Sequence, residues 1–127
     1  MRGMRSWDGD TCVLHIHIDR AQLGPMAEGK MLVFLSRRDN EYLIRALAGR
    51  YNDTYCRVLP EKVGTTPTAT RRDINERNVS CRYLAVNLQN EATVELRLWR
   101  GTLHKPRLLA AIQFADSFTR LSAPICV

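Results

Sequence analysis

The sequence predicts an α+β fold: a small antiparallel-type sheet with helices packed on one face and the other face open. Two observations carry this. Three segments alternate in step, Cys12–Ile18, Arg82–Leu88 and Thr93–Trp99, with aliphatic residues at the even positions from Leu14, Leu84 and Val94 onward. Side chains two apart in a strand share a face, so Leu14, Ile16, Ile18, Leu84, Val86, Leu88, Leu96 and Leu98 form one surface. The opposite surface carries His15, His17, Asn87, Glu95 and Arg97. The second observation is helical periodicity between and after these segments, which gives the aliphatic surface its cover.

Taken in order, Met1 to Asp10 has no period and reads as a loose start. A first strand spans about Thr11 to Asp19. Gly24-Pro25 breaks it, and Pro25 suits a first helical turn, so Met26 to Leu35 reads as a helix with Met31, Leu32, Phe34 and Leu35 inward. A polar joint, 36–40, leads to a second helix from about Glu41, with Leu43, Ile44 and Leu47 on one side and Gly49 as its stop. Tyr51 to Cys81 shows neither period and reads as irregular, with 57–81 a long basic loop. Gly101-Thr102 is a turn, and Pro106 opens a last helix with Leu108, Leu109, Ile112, Ala115 and Phe118 at core spacing. Trp99 falls on the open face by strict alternation, where it either stacks on a ligand or closes the end of the sheet.

A chain of 127 residues fits one domain, 1–127, with room for a core. Its four cysteines, Cys12, Cys56, Cys81 and Cys126, form no C-x-x-C pair and read as free thiols of a reducing cytoplasm. No apolar run approaches the ~18 residues of a membrane span. The formal charge of +6 favours anionic partners without choosing among nucleotides, nucleic acid and acidic surfaces.

The open face is where chemistry belongs. His15 and His17 aim at one point, and imidazole binds divalent metals or donates to phosphate oxygens. Glu95 is the oxygen ligand that a hard cation such as Mg²⁺ or Mn²⁺ would require, and Arg97 offers a planar fork to phosphate or carboxylate. These side chains are expected within roughly 10 Å of one another, the span of two neighbouring strands.

These segments, with Arg45–Arg50, Tyr55-Cys56 and the run Arg100-Gly101-Thr102-Leu103, resemble in order the C-terminal half of the amidoligase family. That family belongs to the glutamine synthetase-like carboxylate–amine ligases and is often encoded by phages and bacteria. The resemblance runs from about Thr11 to Phe118. It implies a partial glutamine synthetase-like catalytic fold that joins a small-molecule or peptide carboxylate to an amine at the expense of ATP, through an acyl-phosphate. It further implies that His15 and Glu95 hold Mg²⁺ or Mn²⁺ and that His17, Arg97 and Arg50 meet the phosphates. Arg97 and Arg100 would be the catalytic guanidiniums, and Asn87 and Arg100 would contact substrate.

One departure matters. The family's strand of spaced glutamates, of the Gly-x-Glu-x-Glu type, has no counterpart before the histidine strand, where only Asp8 and Asp10 occur. The expectation is a truncated, split or degenerate ligase, weak by itself. Its missing acidic residues would come from a companion chain or a second copy, paired along the exposed edge on the histidine-strand side.

Two other classes compete. His15-Ile16-His17 also fits a metal-dependent His-hydrophobe-His DNA nuclease or replication initiator, for which Tyr42 would be the nucleophile; nucleic acid would then be the partner. Alternatively the chain is a non-catalytic basic module, with Arg57, Arg71, Arg72, Arg77 and Arg82 docking an acidic surface.

Overall fold

In the computed structural model, which describes residues 13–49, 64–80 and 84–122, strand β1 (Val13–Asp19) runs directly into helix α1 (Arg20–Ser36). The Asp19 carboxylate caps this helix by accepting from the Ala21 N–H at 2.9 Å. Gly24 interrupts it with φ of 75°, a left-handed conformation open to glycine, and Pro25 restarts it. A 3₁₀ turn at Arg38–Asn40 leads to α2 (Glu41–Ala48), which stops at Gly49 with φ of 67°. Helix α3 (Pro67–Ser80), the short strand β2 (Val86–Asn87), β3 (Thr93–Arg100) and α4 (Lys105–Ser122) complete the order.

The sheet is antiparallel in the order β1-β3-β2, so β3 is central and β1 has one neighbour among the described residues. Leu96 and Val94 of β3 are fully buried, as are Val86 of β2 and Met31 and Leu32 of α1. The helices therefore cover the aliphatic face and the alternation sorts the two faces as expected. The ladder carries one irregularity. Leu14 pairs with Trp99 but Ile16 pairs with Leu96, so Arg97 and Leu98 together oppose His15. This bulge turns two consecutive residues, Leu98 and Trp99, under the helices, where both are buried. Trp99 therefore does not share the open face: its ring packs edge-on against Phe114 at 6.1 Å.

Three further expectations change. Part of the stretch expected as irregular, 67–80, is helix α3. Its buried positions are only Thr70 and Ile74 among the side chains described, so a polar helix shows no apolar stripe. Thr66 accepts from the Ala69 N–H ahead of Pro67 in the first turn. On α4 the buried stripe is Ala111, Ala115 and Phe118, with Phe114 stacked on Phe118 at 5.4 Å, while Leu109 and Ile112 are exposed. On α2, Ile44 and Ala48 are buried while Leu43 and Leu47 remain exposed. The loose start, 1–10, and positions 57–63 lie outside the described residues.

Helix α3 packs closely on α1 at Gly29. A Cβ there would lie 2.6 Å from the Pro67 carbonyl oxygen and 2.8 Å from the Pro67 Cβ. The obstacle is backbone, which cannot swing aside. Gly29→Ala is expected to cost about 1–3 kcal/mol despite alanine's better helix propensity, measured by urea unfolding. A variant as stable as the parent would show that α1 and α3 do not touch at this point.

Candidate metal and phosphate site on the open face

Glu95 is the hub of the open face. It sits on the central strand, paired with His17 of β1 on one side and Asn87 of β2 on the other. The Asn87 amide donates to Glu95 Oε2 at 2.9 Å, and the Asn87 Oδ1 accepts from the Gln89 N–H at 3.0 Å. Both ends of that amide are thus engaged, and one of them holds the glutamate in place. Glu95 Oε1 faces β1 and lies 2.7 Å from His15 Nδ1 and 4.0 Å from His17 Nε2.

Arg97 closes the cluster. Its Nε lies 3.6 Å from Glu95 Oε1 and donates to His15 Nε2 at 3.4 Å. The contacts of His15 with Glu95 and with Arg97 fit one tautomer of its ring, with the proton on Nδ1 facing Glu95 and the lone pair on Nε2 facing Arg97. The bulge contributes here, because Arg97 is one of the two residues that oppose His15. Thr93 Oγ1 lies 3.1 Å from His17 Nδ1, which leaves Nε2 turned toward Glu95. Thr93 was not evident as a site residue, although it shares the strand parity of Glu95 and Arg97.

The donor atoms of His15, His17 and Glu95 all lie within 4.8 Å of one another. A tetrahedral ion with bonds of about 2.1 Å holds its donors about 3.4 Å apart, so the side chains would have to draw together by about an ångström to close on one. The histidines are exposed while Glu95 is only 13% exposed, so an ion entering from solvent would meet a carboxylate anchored in the sheet. Among the described residues this is the one such cluster of three or more ligating side chains.

The other candidates separate. Arg100 stands at the far end of the ladder, paired with Val13, and lines a cavity of about 310 Å³ with Leu14, Leu47, Trp99 and Arg107. Arg50 lies outside the described residues, as do Tyr55, Cys56, Arg57 and Arg82. Tyr42 is 86% exposed on α2, a helix that joins the core on the aliphatic side of the sheet, so it sits across the sheet from the histidines. A nucleophile there cannot serve a metal at His15 and His17, and the nuclease reading loses its tyrosine. The basic-module reading loses Arg71, whose guanidinium turns inward to Glu28 at 2.9 Å.

Glu28 is the polar feature that the sequence concealed. It is 2% exposed on α1 and receives two hydrogen bonds from Arg20, at 2.9 and 3.1 Å, besides the one from Arg71. Arg20 also donates to the carbonyls of Leu88 and Asn90 in the β2–β3 connection. One buried carboxylate thereby ties α1 and α3 to the hairpin that carries Asn87 and Glu95.

No helix among the described residues is long and apolar enough to cross a membrane. No curated protein and no solved structure gives a significant match to the chain. A protein-family model described as "putative amidoligase enzyme" matches residues 20–119. The match takes in Asn87, Glu95, Arg97 and Arg100 and begins at Arg20, one residue after the histidine strand, so His15 and His17 join the site through geometry alone. The chain belongs to the amidoligase family.

Proposed function

We propose that this protein is an ATP-dependent carboxylate–amine ligase whose metal and phosphate site is the open-face cluster of His15, His17, Glu95 and Arg97. The observation that carries the reading is the convergence of two histidines and a sheet-anchored glutamate, beside an arginine, in a chain of the amidoligase family. His15 and Glu95 hold Mg²⁺ or Mn²⁺, and Arg97 meets the transferred phosphoryl group. The metal, when bound, supplies a Lewis acid beside the anionic group in transfer. Arg97 stabilises the charge that grows on the phosphoryl oxygens, and Asn87 keeps Glu95 aimed. Arg100 and Arg50 serve the substrate carboxylate or the nucleotide.

One carboxylate is a thin oxygen set for a cation that prefers about six oxygens, and the nucleotide's phosphates supply some of the remainder. A companion chain or second copy, pairing along the β1 edge, supplies further acidic side chains. The test is phosphate release from ATP with Mg²⁺ or Mn²⁺, across a panel of carboxylates with ammonia or amines. Slow turnover that requires both co-substrates and rises in specific activity with chain concentration is expected. Release that ignores both co-substrates would contradict the ligase reading.

A further inference from the structure

We infer that the open-face cluster is a two-state cation site: the Arg97 guanidinium occupies it when no metal is bound, and a divalent transition ion held by His15, His17 and Glu95 expels that guanidinium. The inference concerns the same residues as the ligase reading but rests on metal binding alone, with no nucleotide involved.

The first part follows from the ring of His15. Its Nδ1 faces Glu95 at 2.7 Å and its Nε2 accepts from Arg97 at 3.4 Å, so both nitrogens are engaged. An ion that binds Nε2 takes the lone pair that Arg97 now uses. An ion that binds Nδ1 forces the ring's remaining proton onto Nε2, which then cannot accept from Arg97. Arg97 therefore leaves by either route, and the charge of the ion repels it as well: its Nε lies only 3.6 Å from the glutamate oxygen that would bind the ion. Metal loading thus separates the Arg97 guanidinium from His15 and Glu95.

The second part concerns which ion. His17 Nε2 is turned to the cluster by the contact of Nδ1 with Thr93, and it lies 4.0 Å from Glu95 Oε1. His17 is therefore a third ligand rather than a phosphate contact. Two imidazoles and one carboxylate favour Zn²⁺, Co²⁺ or Mn²⁺, whereas Mg²⁺ wants oxygen. The site discriminates against free Mg²⁺, which enters with the nucleotide.

Titration of the purified chain with Co²⁺, followed by its visible absorption without nucleotide, tests both parts. One ion per chain is expected, undisturbed by a thousandfold excess of Mg²⁺. His17→Ala should weaken binding about tenfold or more. Arg97→Met should strengthen it about tenfold, because the competing cation is gone. The Arg97 Nε–H resonance of the unmodified chain, followed in Zn²⁺ titrations, supplies a readout that needs no variant. It should exchange slowly without metal and rapidly once Zn²⁺ is bound. Displacement of Co²⁺ by Mg²⁺, full affinity in His17→Ala, unchanged or weaker binding in Arg97→Met, or an Arg97 resonance indifferent to Zn²⁺ would each overturn the inference. Metal binding as described without ligase turnover would end the ligase reading and leave this one standing. Turnover with Mg²⁺ alone and no Co²⁺ affinity would do the reverse.

Discussion

Glu28→Ala should be the most destabilising single substitution near the sheet, with the melting temperature falling by roughly 10–20 °C. The glutamate is buried and receives three charged hydrogen bonds, two from Arg20 and one from Arg71. Removing one partner of a buried ion network leaves the others desolvated and unmatched, which costs about 3–5 kcal/mol. Against a total stability of about 5–15 kcal/mol that is a large fraction. The two arginines are not equivalent. Arg71 is 40% exposed, so solvent screens its arm of the network, whereas Arg20 is 17% exposed and also holds the carbonyls of Leu88 and Asn90. Arg20→Ala should therefore destabilise more than Arg71→Ala. Differential scanning fluorimetry gives the order, and a Glu28→Ala variant within about 2 °C of the parent would show that the network carries no stability.

The effect reaches function through the hairpin. Arg20 fixes the connection between β2 and β3 just beyond Asn87, and Asn87 in turn aims Glu95. Loss of Glu28 should thus weaken metal binding as well as the fold.

Glu95→Gln should have the opposite profile, a large functional loss with little change in stability. Glutamine keeps the shape and retains one oxygen, enough for His15 or Asn87 but not for both, and it removes the only carboxylate of the described cluster. Metal affinity should fall about a hundredfold or more, since losing even an outer-shell partner of a metal site costs about 10–100-fold. Nucleotide turnover should fall with it. The melting temperature should move by only a few degrees, because the charge sits on an open face beside exposed histidines rather than in the core. A variant that binds metal like the parent would show that Glu95 serves only to orient its neighbours.

Much of this site was legible because a strand's period is so short. The even positions of the three segments could only share a face, and that put His15, His17, Asn87, Glu95 and Arg97 together with no knowledge of the helices. Strand alternation fails where the ladder bulges, and Trp99 is the residue that shows it: an extra residue opposite His15 moves everything beyond it to the other face. The helices that carry aliphatic stripes were visible, although Gly24-Pro25 marks a kink inside α1 rather than its start at Met26; Gly49 does end α2. Helix α3 was not visible, because among its described side chains only Thr70 and Ile74 are buried. Its one local sign was Thr66 followed by Pro67, a capping residue and a first-turn proline. The Arg20–Glu28–Arg71 network had no local sign at all. Its members are 8 and 43 residues apart across a kink and a separate helix, and burial of a charged side chain is a tertiary fact.

The measurement that bears most directly on the ligase assignment follows an oxygen atom. A ligase that activates its carboxylate as an acyl-phosphate passes one carboxylate oxygen to the phosphate it releases. Glutamate or another accepted carboxylate, labelled with ¹⁸O in the carboxyl group, is incubated with ATP, metal, amine and the purified chain at high micromolar concentration. Mass spectrometry of the phosphate then reads the label. One ¹⁸O per phosphate is the predicted result, lost in Glu95→Gln. Phosphate without label, its fourth oxygen drawn from water, would contradict the account and leave the open face a metal site that hydrolyses nucleotide.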